Sequence, residues 1–118
     1  MHTFPIRINN ADDSVKHIFP SKQKDVQAVI NIARQNAEIK RLIVFGSATT
    51  LNCGIDSDID IAVDAPDIKQ EDDFLVLSRR IRQAIHSSAD VIHYNSVQSD
   101  LLKKEIDMKG VEVYVNGI

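Results

Sequence analysis

A chain of 118 residues, 43% apolar and 26% charged, has room for one domain and one core, since domains run to roughly 100–200 residues. No apolar run approaches the roughly 18 residues of a membrane span, and Met1-His2-Thr3-Phe4-Pro5 has no basic region ahead of an apolar stretch, so neither a membrane protein nor a secreted one is expected. The formal charge of −3, from 14 Lys+Arg and 17 Asp+Glu, argues against a protein whose main task is to grip nucleic acid.

Residues 1–39 form an N-terminal extension and helix without a chemical motif. Phe4 to Ile8 and Val15 to Phe19 read as two short strands around a polar turn, and Pro20 closes that segment. Ser21 is the expected N-cap of a helix to about Glu38, because Val26, Val29, Ile30, Ala33 and Ala37 recur at helical spacing. Leu42-Ile43-Val44-Phe45 is continuously apolar and stopped by Gly46, the pattern of a buried strand. Ser47 to Asp56 is a polar connection. It holds the lone cysteine, Cys53, which excludes an internal disulfide and suits a reducing, cytoplasmic compartment.

From Ser57 to Val63 the chain alternates. Ser57, Ile59, Ile61 and Val63 face one way, while Asp56, Asp58, Asp60, Ala62 and Asp64 face the other. Pro66 breaks this strand, and Glu71-Asp72-Asp73 opens a helix with Phe74, Leu77, Ile81, Ala84 and Ile85 on its apolar face. Ala89 to Tyr94 is a further strand. Ser96 is the expected cap of a helix to Lys109, Gly110 stops it, and Val111 to Val115 alternates as a last strand. This order predicts one α/β (α+β) domain, residues 40–116 its motif-bearing core, with helices packed on one sheet face.

The chemistry concentrates where Gly46-Ser47 is followed, after ten intervening residues, by Asp58-Ile59-Asp60. Two carboxylates two apart on a strand leave the same face about 6.7 Å apart. At an effective dielectric of about 20 they repel by about 2–3 kcal/mol, which a cation would offset. Hard oxygens select Mg²⁺ or Mn²⁺, which bind through one or two carboxylates and substrate phosphates. Gly46 lets backbone approach a ligand closely, and the amides that follow, with the Ser47 hydroxyl, suit a phosphate. If the strand at 89–94 lies beside the Asp58/Asp60 strand, Asp90 can complete a metal cage or accept the proton of an attacking hydroxyl.

Phe45-Gly46-Ser47, Ser57-Asp58-Ile59-Asp60-Ile61-Ala62-Val63 and Ala89-Asp90-Val91-Ile92 resemble the minimal nucleotidyltransferases of the polymerase-β superfamily. The closing segment Ile106 to Tyr114 is similar to that family's last helix and strand. The resemblance implies a polymerase-β-like fold with a mixed β-sheet, two Mg²⁺ ions held by Asp58, Asp60 and Asp90, and ATP or another NTP held at Gly46 and Ser47. It implies transfer of a nucleoside monophosphate to a hydroxyl, with Asp90 assisting deprotonation. Small members of the family pair with a HEPN-type toxin, whose tyrosine they adenylylate as antitoxin. No appended acceptor domain is expected within 118 residues, and the expectation is then a protein acceptor.

The sequence departs from the family at one point: it has no Lys or Arg between Arg41 and Lys69. Triphosphate charge then falls to metal, backbone amides and a candidate among Arg79, Arg80 and Arg82. The same gap motivates an alternative, a catalytically idle module that neutralises a protein partner by contact. The plainer readings are a solvated face for Asp58, Asp60 and the three arginines, and an ordinary strand acid at Asp90. Tyr94 and Tyr114 are expected to pack, and the four histidines lack metal-ligand spacing.

Overall fold

The computed structural model describes residues 6–7, 15–16, 20–46, 58–86 and 88–116. β1 (Ile6–Arg7) and β2 (Val15–Lys16) pair antiparallel, within the two strands expected there; the rest of those stretches lies outside the described residues. α1 spans Pro20–Arg34. Pro20 is its first residue, where a missing N–H costs nothing, so the helix begins one residue before the expected cap position, Ser21. The helix stops short of Glu38. The Gln35 and Asn36 amides turn to the carbonyls of Ile32 and Ala33, and Asn36 Nδ2 donates to Ile32 O at 2.8 Å, which satisfies the last turn.

Four strands form the central sheet: β3 (Arg41–Phe45), β4 (Ile59–Asp64), β5 (Ala89–His93) and β6 (Val111–Val115), in the order β5-β4-β3-β6. β3 is antiparallel to β4 and β6, whereas β4 and β5 are parallel. The sheet is therefore mixed. A parallel pair needs a crossover, supplied by α2 (Glu71–Ala84), whose acidic first turn suits its dipole.

Alternation divides the sheet residues between two cores. Leu42, Val44, Ile59, Ile61 and Val63 pack with Val26, Val29 and Ile30 of α1 and with Phe74, Leu77 and Ile81 of α2. Ile43, Phe45 and Ala62 pack on the opposite face with Ile106 of α3 (Asp100–Lys109). The α/β class stands, but the helices do not share one face. β5 and β6 are opposite edges of the sheet, so the chain must cross the whole sheet between them. α1 and α2 already cover one face, and α3 takes the other.

α3 begins later than expected. Tyr94–Ser96 forms a 3₁₀ turn, and Ser99, not Ser96, caps the helix by accepting from the Leu102 amide at 3.3 Å. Gly110 ends it with φ −68°, so no left-handed turn is involved. A Cβ at this glycine would overlap Ile106 O and Ile43 Cγ2, so its bareness seats the end of α3 against β3. No helix among the described residues is long and apolar enough to cross a membrane.

Candidate active site

The site begins where β3 ends. Phe45 pairs with Asp60 across the antiparallel ladder, which brings Gly46 beside the Asp60 carboxylate. Gly46 has φ +75°, in the left-handed region that side chains rarely adopt. A Cβ there would also overlap Asp60 Oδ2 and stand 3.2 Å from Asp60 Cγ. Backbone conformation and space both require glycine. Ser47, the other half of the expected phosphate cradle, lies outside the described residues, as do Cys53, Asp56 and Ser57.

Register sets two of the acids side by side. Asp60 on β4 is the direct partner of Asp90 on β5 in the parallel ladder, and neighbouring strands lie about 4.8 Å apart. Asp58 precedes β4 on the same side of the alternation and is exposed, as is Asp90. Asp60 is half-buried. Its burial foremost, then the negative charges of Asp90, Asp58 and Glu105, raise its carboxyl above the ordinary value of 3.8.

Glu105 was not expected in this neighbourhood. It precedes the buried Ile106 of α3, which packs against Phe45 and Ala62. Its sequence signal was its place beside an apolar anchor, but the face of the sheet that α3 covers was needed to use it. The acids fit a hard divalent cation by donor chemistry: carboxylate oxygens that repel one another, beside a glycine whose bareness admits the Asp60 carboxylate. Among the described residues no three Asp, Glu, His or Cys side chains are already gathered to hold a metal ion. Any ion there would draw on substrate oxygens as well, the usual habit of Mg²⁺.

Further along the same face the polar groups are paired. Arg41 Nε donates to Asp64 Oδ2 at 2.7 Å, and Asn95 Nδ2 donates to Asp64 Oδ1 at 2.9 Å. Arg41 and Lys103 each lie 5.1 Å from the centre of the Tyr94 ring, and the Tyr94 hydroxyl donates to Asp107 at 2.6 Å. Burial first, and the bond to Asp107 next, raise the Tyr94 phenol above its ordinary value. Tyr94 is thus a polar junction as well as a packing residue, whereas Tyr114 donates to Ala33 O at 3.4 Å and ties β6 to α1.

None of the three candidate arginines is at this site. α2 packs on the sheet face opposite Asp60, which removes Arg79, Arg80 and Arg82 from the acids, and Arg80 Nη2 donates to Gln35 Oε1 at 2.6 Å. Among the described histidines, His93 stacks on Phe74 at 4.5 Å and its ring bonds Ala65 O and Ser96 Oγ, while His86 is exposed.

Residues 27–117 match the family described as Polymerase beta, Nucleotidyltransferase, so the match begins within α1. No curated protein sequence matches the chain. Among solved structures, a toxin–antitoxin complex with AMP-PNP is 26% identical with a TM-score of 0.65, covering 75% of this chain and 72% of that one. The toxin–antitoxin MntA–HepT is 24% identical with a TM-score of 0.61, covering 79% and 72%. A complex of the tri-AMPylated Shewanella oneidensis HEPN toxin with its MNT antitoxin is 24% identical with a TM-score of 0.63, covering 80% and 72%.

Proposed function

This chain belongs to the polymerase beta nucleotidyltransferase family, and from that premise we propose that it moves AMP from ATP to a protein hydroxyl, a tyrosine of a cognate HEPN toxin, and so acts as the antitoxin of that pair. The observation that carries the reading is the row of like charges at Asp60: a half-buried carboxylate set against Asp90, Asp58 and Glu105 beside a glycine with no space for a side chain. Folding gains nothing from that arrangement, and a cation relieves it. The relatives support the donor and the acceptor, one being a toxin–antitoxin complex with AMP-PNP and another containing an AMPylated HEPN toxin.

Asp58, Asp60 and Asp90 are the residues that would hold Mg²⁺. When bound, the metal neutralises triphosphate charge and polarises the phosphoryl oxygens. Gly46 and the amides after it, with the Ser47 hydroxyl, hold the triphosphate. Asp90 accepts the proton of the acceptor hydroxyl. The hydroxyl oxygen then bonds to the α-phosphorus, the bond from that phosphorus to the bridging oxygen breaks, and pyrophosphate leaves with the electron pair.

The test is mass spectrometry of the HEPN-type partner after incubation with the chain, ATP and Mg²⁺. The wild type adds AMP to the partner, and the Asp58→Ala/Asp60→Ala variant does not. Equal labelling by both removes the catalytic reading. A second reading, neutralisation by contact alone, draws support from Arg41, which is committed to Asp64 and not to the acids. Full protection from the toxin by the double variant without nucleotide would select it.

A further inference from the structure

Among the described residues β5 is an edge strand of the sheet, paired to β4 on one side only. The Ile59 amide donates to Ser88 O at 2.9 Å. Residues that bond to the neighbouring strand alternate in a parallel ladder. Ala89, Val91 and His93 therefore turn their backbone groups away from β4. Exposed edges are usually guarded by charged side chains, above all lysine, by proline or by a bulge. Ala89-Asp90-Val91-Ile92-His93 has no lysine or proline, its one charge is Asp90 of the acid group, and its register with β4 runs without a break.

A groove of about 710 Å³ straddles this edge. Phe74 and Leu75, from the start of α2, line it on one side of the sheet beside the polar Lys69, Gln70 and Glu71; Val97 and Leu102 line it on the other, and Val91 of the edge strand also borders it. Leu75 is 51% exposed. Apolar side chains set among polar ones on both faces suit an extended chain, whose side chains leave alternately to either face.

We propose that an extended segment of the acceptor protein adds to β5 as a fifth strand, with its hydroxyl-bearing residue opposite Asp90. The argument for this occupant is continuity: the free edge and the acid row are parts of one strand, because Asp90 is both the ladder partner of Asp60 and a residue of the edge. Residues directly opposite one another on neighbouring strands share a face, so the paired residue presents its hydroxyl on the side where the acids lie. The substrate assignment rests on the transfer reading above; the docking surface is measured separately from it.

The experiment uses the full chain, with the HEPN-type acceptor protein as probe. Affinity without nucleotide, the acceptor KM, and hydrogen exchange of the Val91 and His93 amides are recorded. Val91→Pro removes an outward N–H without removing a ladder bond to β4. Leu75→Glu charges an exposed wall and keeps the test open should the proline variant misfold. Leu101→Glu, at a residue 83% exposed and outside the groove, is the control.

The expected result is a loss of affinity of about tenfold for each of the first two variants, none for the control, and protection of both amides on acceptor binding. Wild-type affinity in Val91→Pro and Leu75→Glu, or edge amides left unprotected in the complex, overturns the proposal. Protection that rises with chain concentration alone also overturns it, because the occupant is then a second copy. Acceptor bound at this edge without AMP transfer supports the surface and removes the transfer reading. Transfer that both variants leave untouched does the reverse.

Discussion

Asp60 and Asp64 stand on the same strand and the same face, yet they have opposite surroundings. Asp64 accepts from Arg41 at 2.7 Å and from Asn95 at 2.9 Å, in a partly buried ion pair that ties β4 to β3 and to the turn after β5. Asp60 meets Asp90, Asp58 and Glu105, and its carboxyl is raised by burial and by those charges. One carboxylate is satisfied by an ion pair and a hydrogen bond; the other, among the described residues, faces like charges. The difference separates a structural residue from a candidate catalytic one.

That contrast can be broken in several ways. The largest effect is expected for Asp60→Asn, with AMP transfer falling at least about a thousandfold while Asp64→Asn stays within a few-fold of wild type, since loss of a metal or electrostatic group in a transferase site costs about 10²–10³ or more. Gly46→Ala comes next. It imposes a left-handed backbone on alanine and drives a methyl into Asp60, and transfer should drop about a hundredfold with about 1–3 kcal/mol of stability lost, read by denaturant melts.

Asp64→Ala should leave the acids in place and cost about 1–2 kcal/mol, because it strips hydrogen bonds from Arg41 and Asn95. The cost is held down by the exposure of Arg41, whose side chain is 32% accessible. Asp60→Asn should act the other way on stability. A carboxyl raised above 3.8 favours the folded state most when protonated, and that contribution is lost as pH rises through the raised value. At pH 7 without metal the asparagine variant should therefore melt slightly higher than wild type, and the gap should close as pH falls to the ordinary carboxyl value. The smallest effect belongs to Glu105→Gln, which should shift the Asp60 titration, followed by carboxyl NMR, down toward its ordinary value.

Much of this arrangement was legible in the sequence for physical reasons. Strict alternation from Ile59 to Asp64 fixed which residues share a face, and a glycine closing an apolar run marked the turn that meets Asp60. Asp90 was legible as an acid at a strand start, but its role depended on β5 lying beside β4, which only the parallel register supplies. Three features needed the tertiary arrangement. α3 crosses to the second face because β5 and β6 are opposite edges, and spacing along one helix does not encode that. Glu105 joins the acids for the same reason. The Arg79, Arg80 and Arg82 group is excluded from the site because α2 covers the other face, although by composition it was the nearest basic cluster available.

The most direct measurement is Mn²⁺ binding, followed by electron paramagnetic resonance, to the wild type, Asp60→Asn and Asp64→Asn in the presence of AMP-PNP. Wild type and Asp64→Asn should bind the ion alike, and Asp60→Asn should lose it. Equal binding by all three would contradict the account, because the row of opposed carboxylates would then have no part in holding a cation.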